Sequence, residues 1–416
     1  MDGGATRMTD RELLERLVSF DTTSDRPSVA AMDFLAGYLE SAGCRVWRQT
    51  YESGRKVNLL AGRGSGRWAI ANRDLQDAPS VSLCEGLVLS GHIDVVPATE
   101  PDWGSNPFQL VERDERFFGR GSADMKGFVA LAANRLARTR EEEAKRPLRL
   151  LVTSDEETGA IGARHFAENW DGHEPLPRSV IIGEPTQLAL VRMHKGHMKL
   201  RITVTGRAAH SGRPHLGVSA IEHAGVVIAA LTALNARMRA LRTETSEHFS
   251  DCPHPVLNIG TIAGGSAVNI VPERCELNLG VRLLPGQPSE LALDLIRESL
   301  GKLPEATRER VTLEMLNDNP PMLCDKLATV NIELARMLRQ CATGAAPYAT
   351  DGGWLQKLGL ECALLGPGNI EDAHRANESI SISQFEAGAR RLEEIVRRFC
   401  GEEIEPRSHG DTEKTK

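Results

Sequence analysis

Five short segments of the chain carry side chains that ligate divalent cations. His92 stands in GHIDVV, Asp124 in GSADMKG, Glu156 and Glu157 in SDEETGA, Glu184 in IIGEPT, and His374 in GPGNIEDAHRANE. Each follows an apolar, strand-like run or closes a glycine-rich loop. Imidazole and carboxylate together suit Zn²⁺, and also Co²⁺ or Mn²⁺. Two histidines and three carboxylates can hold two ions if one carboxylate bridges them. Ions about 3.5–4 Å apart can share a water and bring its pKa toward ~7. Singly the motifs are weak. An H-x-D is more often structural, and paired acids are favoured in any first helical turn. The signal is the whole set, in this order, at strand ends.

Those ends need strands to end. Leu13, Leu14 and Leu17 recur at helical spacing, as do Met32, Leu35 and Leu39, so Asp10–Ala42 reads as two helices around the loop DTTSDRPS. Extended text follows at Arg45–Gln49, Asn58–Ala61 and Gly86–Ser90, then a helix at Gly127–Arg138 and a strand at Leu148–Thr153. Strand, polar loop, helix, strand is the rhythm of an α/β layer fold, in which chemistry gathers at the carboxyl ends of strands. After Thr186 the text changes. KLRITVTG, a long apolar helix, VLNIGTIAGG, RCELNLGVRLL, PSELALDLIRESL and RVTLEML give β-α-β-β-α-β, the ferredoxin-like split unit. This predicts an inserted domain at 191–317, with the catalytic domain formed by 1–190 and 318–416. The resumed text predicts a helix at Lys326–Arg339, the apolar piece CALLGPG and a last helix at Ile382–Cys400. An extra polar stretch at Arg67–Glu85 reads as a surface loop, and the last fifteen residues as a mobile tail.

Composition narrows the partners. Lys+Arg 50 against Asp+Glu 57 leaves a net charge of −7, with no basic run, which argues against a nucleic-acid binder. The longest apolar stretch, near Val226–Leu234, falls far short of the ~20 residues of a membrane span. Eight cysteines at irregular spacing, without C-x-x-C, predict reduced thiols in a cytoplasmic protein.

Several longer passages resemble a known family. GSADMKGF, the run from DEET through GAR and FAE, IIGEPT to HKGH, HSGRP followed by GVSAIE, RLLPG, and GPGNI followed by AH are similar to the di-zinc amidohydrolases and peptidases. That family includes acetylornithine deacetylases, succinyl-diaminopimelate desuccinylases, aminoacylases and glutamate carboxypeptidases, and the text is most like its acetylornithine deacetylase branch. The resemblance spans about residues 10–400. It implies an α/β, zinc-peptidase-like catalytic domain with helices on both faces of a mixed sheet, plus an inserted ferredoxin-like domain for dimerisation and for closure as a lid. It implies two Zn²⁺, with Co²⁺ as a substitute.

The resemblance also implies roles. Asp124 would bridge the ions, His92 and Glu184 would complete one site, and Glu157 and His374 the other. Asp94 would accept the second imidazole N–H of His92 and fix its tautomer. Glu156 would move a proton from water to the leaving nitrogen. His210 of a partner subunit in a homodimer would meet the oxyanion. Arg282 and Asn269 match substrate-holding positions, and a guanidinium forks well onto an α-carboxylate. The implied reaction is removal of the acyl group from an N-acyl amino acid, foremost N²-acetyl-L-ornithine in arginine synthesis. A desuccinylase, a broad aminoacylase and a silent binding relative remain alternatives. Thr350-Asp351-Gly352 departs from the Thr-Glu-Ala usual in the branch. Asp351, with Gly352 beside it, would pair the δ-ammonium of ornithine or serve another side chain.

Overall fold

The computed structural model describes residues 7–64, 83–341 and 344–401. The extra stretch at Arg67–Glu85 lies almost wholly outside these residues, and the charged C-terminal tail entirely so. The chain forms two compact units: Met1–Val152 with Asp171–Gln187 and Gly366–Lys416, and Thr153–Trp170 with Leu188–Leu365.

In the first unit, strands β1 (Arg45–Tyr51), β2 (Lys56–Arg63), β3 (Leu83–His92), β6 (Leu148–Thr153) and β7 (Leu176–Ile182) lie in the order β1-β2-β6-β3-β7. Between β3 and β6 the chain makes a hairpin of β4 (Val111–Arg113) and β5 (Arg116–Phe118), to which Ser379–Ser381 adds a third strand. The sequence reading had no strands at these places, because three-residue strands carry no periodicity. β3 pairs with β7 in parallel and is buried along nearly all its length, so it reads as a continuous apolar run. Helix α1 (Asp10–Val18) starts on a capping box between Thr9 and Glu12 and buries Leu13, Leu14, Leu17 and Val18. Helices α2 (Val29–Ser41) and α3 (Lys126–Arg138) follow the predicted spacing, and α3 is buried almost all round.

In the second unit, β9 (His197–Thr205), β11 (Val256–Gly264), β13 (Arg274–Arg282) and β14 (Val311–Asn319) form an antiparallel sheet in the order β11-β13-β9-β14. Helices α5 (Ala220–Met238) and α6 (Ser289–Gly301) complete β-α-β-β-α-β, the ferredoxin-like order. β9 alternates buried and half-buried residues. Met198, Leu200, Ile202 and Val204 pack with Ala224, Val227 and Leu231 of α5 and Ile296 of α6. Small strands β10 (Ala209–His210) and β12 (Ile270–Val271) pair outside that sheet. β8 (Val191–His194) pairs with β15 (Met322–Leu323), β16 (Gly344–Ala346) and β17 (Glu361–Leu364). The unit also contains Ser154–Ala160, which the text had only as a helix opening. Helix α4 (Ile161–Asn169) starts after that loop.

Candidate metal centre

His92 ends β3 and is 1% exposed. The predicted loop DTTSDRPS holds the segment that follows. The Thr22 hydroxyl donates to the Ile93 carbonyl at 2.6 Å, and the Ser24 hydroxyl donates to Asp94 Oδ2 at 2.9 Å. Main-chain bonds from Val95 to Thr22 and from Ser24 to Val95 add to this. His92 Nδ1 lies 2.9 Å from the Asp94 main-chain oxygen and 3.6 Å from its carboxylate, so the carbonyl is the nearer partner fixing the ring.

Asp124 sits on the turn before α3. Its Oδ1 faces His92 Nε2 at 3.1 Å, and its Oδ2 faces His374 Nε2 at 3.1 Å. Burial pushes the Asp124 carboxyl pKa up, but the hydrogen bonds and charges of His374 and His92 outweigh it and hold the group well below the carboxylate range. His374 itself is half exposed and has a left-handed backbone, which aims its ring from a loop. Glu184 follows β7 and is buried. Gly183 before it is required, because a Cβ there would stand 1.9 Å from the Phe128 ring.

The backbone at Asp124 is itself held. One oxygen of Glu378 accepts the N–H groups of Ala123 and Asp124, each at 3.0 Å. The other accepts Arg120 Nη1 at 3.0 Å, and Arg120 also donates to Glu100 at 2.7 Å and stacks over Trp103. Burial pushes the Glu378 carboxyl upward, against the backbone bonds and the Arg120 charge that favour ionisation. The sequence reading passed over Glu378 and Arg120. The available signal was an acid four residues beyond His374 in an otherwise loop-like segment.

In the second unit, Glu156 and Glu157 are half-buried on the loop after β6. The Glu156 carbonyl accepts the N–H groups of Gly159 and Ala160, both at 2.8 Å, and Asp155 closes the turn onto Ile161 at 3.0 Å. Arg282 ends β13. Burial lowers its pKa, and the charge of Glu156 partly restores it. Burial and Arg282 also lower Lys199, again with Glu156 opposing. Burial, then Arg282 and Lys199, hold His197 down at about 4. The unit thus gathers Glu156, Arg282 and Lys199, with an imidazole kept neutral.

His210 and Asn269 share an exposed corner, where His210 pairs with Ile270 across β10 and β12 and Ser211 N–H donates to the Asn269 carbonyl at 2.9 Å. Asp351 is 1% exposed and accepts the Thr153 hydroxyl at 2.6 Å. Gly352 opens the short helix Gly352–Leu355.

A buried carboxylate with each oxygen opposed by a separate imidazole nitrogen, in a mixed α/β fold, is a donor set that suits a divalent metal ion. The chain belongs to peptidase family M20/M25/M40, whose family model matches residues 88–398. It is 34% identical over 382 residues to acetylornithine deacetylase of Proteus mirabilis, covering 91% of this chain and 92% of that one. A solved M20 family metallo-carboxypeptidase from Sulfolobus solfataricus shares the fold with a TM-score of 0.73 at 16% identity, covering 94% and 99% of the two chains. A dinuclear metal binding peptidase of the M20 family from Bacillus subtilis gives 0.61 at 14% identity, covering 93% and 96%. Among the described residues no helix is long and apolar enough to cross a membrane.

Proposed function

We propose that the protein hydrolyses the amide bond of N-acyl amino acids, with N²-acetyl-L-ornithine as substrate and L-ornithine and acetate as products. The observation that carries the reading is Asp124, whose two oxygens face His92 and His374 at 3.1 Å each. Asp124 would bridge two zinc ions, His92 and Glu184 would complete one site, and Glu157 and His374 the other. When bound, such ions polarise the amide carbonyl and acidify the attacking water. Glu156 takes the proton of that water as its oxygen bonds to the carbonyl carbon, then delivers it to the nitrogen as the C–N bond breaks. Arg282, beside Glu156 in its unit, would fork onto the α-carboxylate. Asn269 and His210 would act from their shared corner, His210 on the oxyanion of a partner subunit. Asp351, with Gly352, would act on the substrate side chain.

The branch-level similarity to acetylornithine deacetylase supports the choice of substrate. Rates on acetylornithine, succinyl-diaminopimelate, acetylmethionine and acetylcitrulline test it. Acetylornithine among the slowest would remove the substrate and leave the class standing. The homodimer is supported by exposed Leu216, Ile221, Val226, Ile262, Val268 and Ile270 on the inserted segment, and light scattering reads it directly. A cytoplasmic location is supported by the thiols, all eight free, with burial raising Cys84 to about 11 and Cys324 to about 12.

A further inference from the structure

The loop that carries Glu156 contains three residues at positive φ: Asp155 at 61°, Gly159 at 123° and Ala160 at 56°. Such a backbone persists only where its surroundings over-determine it. Here two side chains from neighbouring strands grip it. Lys199 Nζ donates to the Thr158 carbonyl at 3.0 Å, and Asn317 Nδ2 donates to the Gly159 carbonyl at 3.0 Å. Lys199 on β9 and Asn317 on β14 are direct cross-strand partners, so both leave the sheet on one face. That pairing depends on a bulge. The register steps from Met315 opposite Leu200 to Asn317 opposite Lys199, which leaves Leu316 over. A straight ladder would set Leu316 beside Lys199 and turn Asn317 to the other face. Gly159 is fitted to the same contact, since a Cβ there would stand 2.0 Å from Asn317 Nδ2.

We propose that Lys199 and Asn317 are positioning residues for Glu156, a cross-strand clamp on two successive carbonyls that holds the Glu156 carboxylate in its proton-transfer orientation. The proposal rests on the reading of Glu156 as proton carrier. Without the clamp the loop keeps its internal turn but loses these two bonds to the sheet, so the carboxylate samples unproductive positions.

The experiment is a set of variants of the full metal-loaded enzyme, with amide exchange of the segment 155–161 measured in both loaded and metal-free protein. In Lys199→Met and Asn317→Ala, kcat falls about 10- to 100-fold while KM stays within about twofold. Lys199→Arg, which keeps a donor, recovers most of the loss. Exchange at Gly159, Ala160 and Ile161 accelerates about tenfold, the scale of one lost hydrogen bond, with the rest of the chain unchanged. In a Glu156→Ala background, Lys199→Met has no further effect on turnover. Three results overturn the clamp: a raised KM with kcat intact, which makes Lys199 a substrate contact; unchanged exchange of the loop; or an equal loss from Lys199→Met with and without Glu156. Full turnover in Glu156→Ala overturns the proton-carrier reading instead, and the exchange data separate that failure from failure of the clamp.

Discussion

In the first unit the backbone at Asp124 is gripped by Glu378, which Arg120 holds in turn, two charged side chains each 1% exposed. In the second unit the carbonyls of Thr158 and Gly159, just beyond Glu156, are gripped by a half-buried Lys199 and a buried amide, Asn317. Both devices fix a loop by its main chain and leave the functional carboxylate to its own partners. Their energetics differ. An ion pair out of water resists change because either partner alone is stranded as a buried charge. A clamp of ordinary hydrogen bonds contributes only about 0.5–1.5 kcal/mol per bond. The residue proposed to bridge the metals therefore stands on the stiff device and the proposed proton carrier on the yielding one. That division suits a centre that must keep its geometry and a group that must move a proton.

The largest expected effect tests the chemistry on the yielding side. Glu156→Ala should lower turnover by about 10²–10⁴-fold or more while bound metal, measured by elemental analysis, stays near its parental level. Parental turnover would reduce the loop to scaffolding and dissolve the contrast.

Next comes the stiff side. Glu378→Ala leaves Arg120 only Glu100 as a carboxylate partner and takes the acceptor from the Ala123 and Asp124 N–H groups, and should cost about 3–5 kcal/mol in denaturant unfolding. Replacing both partners with apolar residues, Glu378→Leu with Arg120→Met, should recover the part due to the ion pair but not the part due to the Ala123 and Asp124 N–H groups. A double variant as unstable as the single one would show that the carboxylate, not the pairing, holds the turn.

Acid separates the two regions. His194 on β8 is wholly buried, and burial first of all lowers its pKa to about 4. The unfolded chain, with a histidine pKa near ~6.5, binds more protons between these values. The contribution of His194 is complete above ~6.5 and is lost as pH falls toward 4, by about 3 kcal/mol. His194→Leu should flatten that stretch of the stability–pH curve, and an unchanged slope would move the acid sensitivity elsewhere.

The smallest effect probes the fit within the clamp. Gly159→Ala places a Cβ against Asn317 at a backbone φ of 123°, and should cost about 1–3 kcal/mol, read by thermal unfolding. Combining it with Asn317→Ala should relieve part of the cost. Independent, additive losses would place the strain in the backbone alone.

Much of this was legible in the residues. The apolar runs before His92 and Glu184 became strands β3 and β7, and the alternation after Thr186 became the four-stranded sheet with two helices. The motif residues stood out because short glycine-rich segments with ligand side chains followed those runs. Glu378, Lys199 and Asn317 did not. An acid in a loop, a lysine on an alternating strand and an asparagine at a strand end look like solvated surface until their partners are known. The bulge that leaves Leu316 over has no periodic signature either, since it is one residue of register.

The sequence by itself determined where the longer strands and helices form, and which side chains have the chemistry to hold metal or move a proton. These follow from local periodicity and side-chain type, which a chain carries wherever it goes. Only the tertiary structure decided that Asp124 faces two histidines at once, that Glu378 takes two of its turn's N–H groups, and that Lys199 and Asn317 meet on one face. Each of those depends on contacts between residues far apart in the chain, and on a strand register that pairing, not propensity, selects.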